Sequence, residues 1–208
     1  VTTAHDLLDL SPVVPVVVIE DEAHAVPLAQ ALLRGGIGVI EVTLRTPAAL
    51  AAIERIAEEV PDIVLGAGTV TAPEHAAKSA AAGARFLVTP GTTDTLLAAV
   101  KDTGLPFLPG AATVSEAMRL AEQGVEALKF FPAEPSGGAE FLKGLGGPLP
   151  HLRFCPTGGI TPQSAPKYLA LPNVGCVGGS WLTPKSAVAA QDWGAVEALA
   201  RAALALRD

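Results

Sequence analysis

Two textures alternate along this chain, and the alternation leaves few folds open. Short apolar runs rich in β-branched residues fall at Val13–Ile19, Val39–Thr43, Ile63–Leu65, Phe86–Thr89, Pro106–Leu108, Ala127–Phe130, Arg153–Cys155 and Val174–Val177. After each comes an Ala/Leu-rich stretch. Helices are expected at Ala23–Arg34, Pro47–Glu59, Pro73–Ala82, Thr93–Asp102, Val114–Gln123, Gly138–Leu145, Pro162–Leu169 and Gln191–Leu206. Near-continuous apolar strands between helices indicate parallel strands buried on both faces. The 208 residues hold eight such units at about 26 residues each, with no linker or low-complexity tract between them. The expectation is therefore an α/β fold, a (β/α)8 TIM barrel, with residues 1–208 as a single domain. A doubly wound open sheet is the competing arrangement. Its dinucleotide fingerprint is missing, since Gly66-Ala67-Gly68 lacks the third glycine.

Composition narrows the function. A net charge of −7 and the lack of any basic run argue against a nucleic-acid partner. No apolar run approaches the ~18 residues needed to span a bilayer, so no membrane partner is expected either. The first residues, Val1-Thr2-Thr3-Ala4-His5-Asp6, lack the basic stretch of a secretory leader. Cys155 and Cys176 are too few for a disulfide framework, which points to a reducing, cytoplasmic setting and to two core thiols. His5, His24, His75 and His151 are scattered without metal-ligand spacing.

In a barrel, chemistry gathers at the carboxyl ends of the strands. There this sequence places glycines beside single reactive groups. In Glu41-Val42-Thr43-Leu44-Arg45 the period of two puts Glu41, Thr43 and Arg45 on one face, directed inward if Val42 and Leu44 meet the helices. The pattern is open to two readings: an acid, a hydroxyl and a guanidinium directed into the barrel for function, or a buried Glu–Arg pair that is merely structural.

Lys129 is more telling. The other five lysines lie in polar helical or loop surroundings, whereas Lys129 sits within Ala127-Leu128-Lys129-Phe130-Phe131. Alternation turns Leu128 and Phe130 to the helices and Lys129 inward. A lysine amine becomes nucleophilic where desolvation or a neighbouring cation disfavours the ammonium, and its usual use is a Schiff base with a carbonyl substrate. The structural alternative is an ion pair with Glu41. Thr157-Gly158-Gly159 and Gly178-Gly179-Ser180 follow the last two runs. Glycine backbone can approach an anion closely, and these two loops are the usual phosphate site of a barrel.

Taken in order, several segments resemble one family, the 2-keto-3-deoxy-6-phosphogluconate (KDPG) and 4-hydroxy-2-oxoglutarate (KHG) aldolases. They are Gly38–Arg45, Gly66–Val70, Lys129–Glu134, Phe154–Ile160 and Gly178–Leu182. The resemblance runs from about Pro12 to the C-terminus. It implies a class I, metal-independent and cofactor-free aldolase on a (β/α)8 barrel, a homotrimer in the cytoplasm. It also implies roles: Lys129 as Schiff-base lysine and Glu41 as general acid/base. Arg45 and Thr69 would contact the substrate carboxylate, Thr157 would line the same pocket, and Pro90 and Phe131 would pack it. Gly158, Gly159, Gly179 and Ser180 would bind phosphate. One departure stands out: some members carry a basic residue at the end of the first strand, where this chain reads Val18-Ile19-Glu20. Two other readings of the same residues are a sugar-phosphate isomerase with Glu41 as base, and a non-catalytic phosphate-sugar sensor.

Overall fold

The computed structural model describes residues 3–207. Its strands are β1 (Val13–Val17), β2 (Val39–Thr43), β3 (Val64–Gly68), β4 (Phe86–Val88), β5 (Phe107–Leu108), β6 (Gly110–Ala111), β7 (Ala127–Phe130), β8 (Arg153–Pro156) and β9 (Val177–Gly179). Between them run α2 (Ala25–Arg34), α3 (Ala49–Glu59), α4 (Pro73–Ala81), α5 (Asp94–Asp102), α6 (Val114–Glu122), α7 (Gly138–Leu145) and α8 (Ala165–Leu169). A short α1 (Ala4–Asp9) precedes the first strand, and α9 (Lys185–Ala189) and α10 (Trp193–Leu204) follow the last.

Every strand pairing is parallel. Six strands form one sheet in the order β5-β4-β3-β2-β1-β9, and three form another in the order β6-β7-β8. Only Pro109 separates β5 from β6. Proline has no N–H to donate, so a break in the ladder there follows from the sequence, although the Pro109 carbonyl still accepts from Lys129 N at 3.0 Å. At the other edge, two isolated bridges join the β8 side to the β9 side: Phe154 of β8 to Val174 ahead of β9, and Thr157 just past β8 to Gly178 within β9.

The helices cover the outer sheet faces because their apolar residues fall at helical spacing. α3 buries Ala49, Ala52, Ile53 and Ile56, the i, i+3, i+4, i+7 stripe, and packs on β2 and β3. Each isoleucine so buried contributes about 1.5–3 kcal/mol. Outward strand residues supply the other half of that core: Ile40, Val42, Leu128 and Phe130 are all buried. Phe130 stacks on Phe141 of α7 with ring centroids 5.2 Å apart, so alternation does turn it toward the helices.

Three expectations need correction. The last apolar run forms a strand at Val177–Gly179 rather than Val174–Val177, which places Gly178 and Gly179 inside the ladder and not in the loop after it. The first strand stops at Val17, two residues short of Ile19. Helix α1 and helix α9 are additional elements, six and five residues long, too short to show a full amphipathic stripe. The α1 start was nevertheless written in Thr3-x-x-Asp6, a capping box in which each side chain accepts from the other's backbone N–H. Among the described residues, no helix is long and apolar enough to cross a membrane.

Ile53 is fully buried between α3 and the sheet. Replacing it with alanine is expected to lower unfolding stability by about 2–5 kcal/mol, through lost transfer energy and an unfilled cavity. A urea melt should show this as a lower midpoint at unchanged slope.

Candidate active site

Glu41 and Lys129 lie in different sheets, β2 and β7, yet their side chains meet. Lys129 Nζ donates to Glu41 Oε1 at 3.2 Å, and the two side chains are only 4% and 3% exposed. They are 88 residues apart in sequence. The pair therefore spans the space between the two sheets, on the faces opposite those covered by helices. Gly68 of β3 makes room for it, since a Cβ there would overlap the Glu41 carboxylate. The Phe131 ring lies with its centroid 5.4 Å from Lys129 Nζ.

The Glu–Arg pair considered from sequence does not form. β2 ends at Thr43, and Leu44 and Arg45 belong to the turn after it. Alternation therefore stops before Arg45, which is exposed at the strand end instead of facing inward with Glu41. Its Nε donates to Thr69 Oγ1 at 3.1 Å. Thr43 is fully buried, and its hydroxyl donates to the Val17 carbonyl at 2.9 Å, fastening β2 to β1. Thr69 itself has φ of 58°, a left-handed backbone that a β-branched residue rarely adopts. Such a conformation costs on the order of 1–3 kcal/mol and persists only where its surroundings impose it.

On Phe131, the ring that faces Lys129 Nζ, opens a cavity of about 200 Å3. Of the residues singled out from sequence, Arg45, Phe131, Thr157, Gly158, Gly159 and Ser180 line it. Gly158 and Gly159 have φ of 106° and 80°. Two successive left-handed residues curl the chain into the kind of turn where backbone N–H groups can converge on an anion. Gly179 stands apart from this group: it is buried in β9, with the Trp181 ring occupying the space of a Cβ. Pro90 is half-buried, and its backbone packs against Gly110 of β6.

Gly178, from the second glycine pair, also lines the cavity, together with Val16 and Ile160, which were not singled out. Val16 was within reach of the sequence, because it stands in register with Glu41 across β1 and β2. Gly178 gives way to Thr157, whose side chain would overlap a Cβ there. A wider recess of about 590 Å3 shares Val16, Arg45 and Ser180 and extends past Glu20, Asp21, His24 and Lys185.

Both cysteines are buried and free. The hydrogen bond with Cys155, and then burial, hold the Cys176 thiol well above the ordinary thiol range, so it is a core group and not a nucleophile. Among the described residues, no cluster of three or more His, Cys, Asp or Glu is arranged to hold a metal ion.

A desolvated amine touching a carboxylic group, near a cavity lined by a guanidinium and glycine backbone, is equipped for carbonyl chemistry through an imine. That is the class of enzyme the site defines. The model of the family described as "Aldolase: KDPG and KHG aldolase" matches residues 5–199, and the chain belongs to this family. It is 53% identical over 203 residues to a 2-dehydro-3-deoxy-phosphogluconate aldolase of Pseudoalteromonas atlantica, covering 98% of this chain and 94% of that one. It is 48% identical, over 98% of this chain and 95% of the other, to the KHG/KDPG aldolase of Escherichia coli. Among solved structures, the KDPG aldolase of Legionella pneumophila superposes with a TM-score of 0.96 at 45% identity, over 98% of each chain. In that crystal, pyruvate was captured at low pH as a covalent carbinolamine intermediate.

The Gly68 contact gives a direct test. Gly68→Ala should push the Glu41 carboxylate off Lys129 and lower kcat by about a hundredfold, the usual cost of displacing a catalytic group by an ångström. Circular dichroism of the variant should remain that of the wild type.

Proposed function

We propose that this protein is a class I aldolase that cleaves 2-dehydro-3-deoxy-6-phosphogluconate to pyruvate and glyceraldehyde 3-phosphate. The same site would cleave 4-hydroxy-2-oxoglutarate to pyruvate and glyoxylate. The buried 3.2 Å contact between Lys129 and Glu41 carries the proposal. A proton passed from Nζ to Oε1 leaves a neutral amine whose lone pair attacks the C2 ketone. Glu41 returns the proton to the carbinolamine hydroxyl, water leaves, and an iminium forms. The Glu41 carboxylate then takes the C4 hydroxyl proton. The C3–C4 electron pair moves into the iminium, and glyceraldehyde 3-phosphate departs from a pyruvate enamine. Protonation at C3 and addition of water free pyruvate and restore the amine. One carboxyl serves every step because it alternates between acid and base.

Arg45 holds the substrate carboxylate. Its Nε donates to Thr69, which leaves the paired Nη groups as a bidentate face for that anion. Thr157 and Phe131 bound the pyruvate half of the pocket, with Pro90 packing behind them. The backbone at Gly158 and Gly159 and the Ser180 hydroxyl take the phosphate, with Gly179 held behind them in β9 and no basic side chain at the end of β1. The scaffold fits a closed (β/α)8 barrel, in which β5 and β6 count as one strand broken at Pro109 and the β8–β9 bridges close the ring. Residues 1–208 form one domain on this reading. Its members would work as homotrimers in the cytoplasm, in the Entner–Doudoroff pathway, without a cofactor.

Borohydride added with pyruvate should label the protein with about 72 Da on Lys129, the mass of a reduced pyruvyl imine. Labelling that survives Lys129→Ala would place the imine elsewhere. Glu41→Gln should lower kcat by ~10²–10⁴ while the Michaelis constant changes little. The opposite pattern, a raised Michaelis constant at full turnover, would make Glu41 a binding group only.

A further inference from the structure

We infer that Glu134 and Tyr168 form a positioning pair that fixes the Gly158–Gly159 anion loop and draws a carboxylate away from it. The inference rests on the phosphate role of that loop given above. Glu134 lies in the turn after β7 and Tyr168 on α8, and neither takes part in the imine chemistry. The Glu134 side chain runs directly over Gly159: a Cβ at that glycine would stand 2.9 Å from both Glu134 Cβ and Cγ. The backbones are tied as well, with Ala133 N donating to the Thr157 carbonyl at 2.8 Å and Glu134 N to the Gly158 carbonyl at 3.1 Å. The far end of the side chain is caught by the Tyr168 hydroxyl, which donates to Glu134 Oε1 at 2.5 Å.

The chemistry of this contact is asymmetric. Tyr168 is 1% exposed, one of the largest fully buried side chains, so its hydroxyl occupies a fixed point. Glu134 is exposed and could otherwise swing about its stem. A free carboxylate next to an anion loop would repel phosphate. Held by a charge-assisted hydrogen bond, it is kept on the α8 side, and its methylenes act as a clamp on the Gly159 backbone. The hydroxyl proton is itself held firmly, because burial and then the Glu134 carboxylate push the Tyr168 phenol upward from its ordinary range. A positioning function differs from simple structural support in that it acts on one end of the substrate.

The test uses the full-length protein and two substrates, one with phosphate and one without. Tyr168→Phe and Glu134→Ala are expected to raise KM for 2-dehydro-3-deoxy-6-phosphogluconate about tenfold to a hundredfold, the size of one lost hydrogen bond to a charged group. The KM for 4-hydroxy-2-oxoglutarate and the borohydride trapping of pyruvate should stay as in the wild type. Glu134→Gln keeps both the stem and an oxygen for the tyrosine, and should bind the phosphorylated substrate as the wild type does. Equal KM changes on both substrates, or no change on either, overturn the positioning role. A wild-type protein that traps no pyruvate overturns instead the aldolase reading, and the inference with it.

Discussion

The structure is organised around one contact that a folded chain does not form cheaply. Lys129 and Glu41 are both almost wholly removed from water, and desolvating two charges can offset most of their mutual attraction. A hydrophobic pair of equal volume would hold the sheets together at least as well. What the ion pair adds is a hydrogen-bonded amine and carboxyl held 3.2 Å apart away from solvent. This requirement explains much of the surrounding architecture. The two groups come from separate sheets, so the sheets must face each other with their inner side chains at a fixed separation. The helices outside must then bury enough apolar surface to hold that geometry against the cost of drying the interior.

Space is made for this pair, and for the cavity at Gly158 and Gly159, by removing side chains. Gly68 clears room for the Glu41 carboxylate, Gly178 for the Thr157 side chain, and Gly159 for the stem of Glu134. Each glycine lies where a functional or supporting side chain of a neighbouring segment comes closest to the backbone. The arrangement trades strand propensity for proximity, since glycine weakens a strand interior. It is tolerated because the parallel neighbours on either side complete the ladder, as in the Thr43↔Gly68 and Val14↔Gly178 registers.

The legible part of the sequence was the part governed by period. Lys129 between Leu128 and Phe130 could be oriented with no structure, because an apolar strand with a single cation allows one sensible facing. Val39–Thr43 and Ala127–Phe130 coincide with the strands formed. Arg45 was misplaced because the same rule was carried two residues past the end of β2, where the chain turns and Leu44 N donates to the Gly68 carbonyl. The Gly178-Gly179 pair read as a loop because glycine punctuates most sequences. Only the covering Thr157 and Trp181 side chains, remote in sequence or hidden in a following turn, explain why both sit in a strand. The break between β5 and β6 was written in Pro109, but a two-residue strand carries no periodic signal on either side of it.

The Arg45–Thr69 contact shows how the same constraint extends to the rim. Thr69 pays for its left-handed backbone with a conformational penalty that glycine at that position would avoid. Glycine, however, has no hydroxyl to accept from Arg45 Nε. An arginine beyond the end of its strand keeps many rotamers, and one hydrogen bond that fixes the guanidinium plane removes much of that freedom before a ligand arrives. Strain in a rim residue is thus balanced against order in the guanidinium at the mouth of the cavity. The buried pair follows the same logic on a larger scale: stability is given up locally so that an amine and a carboxyl are held in fixed contact.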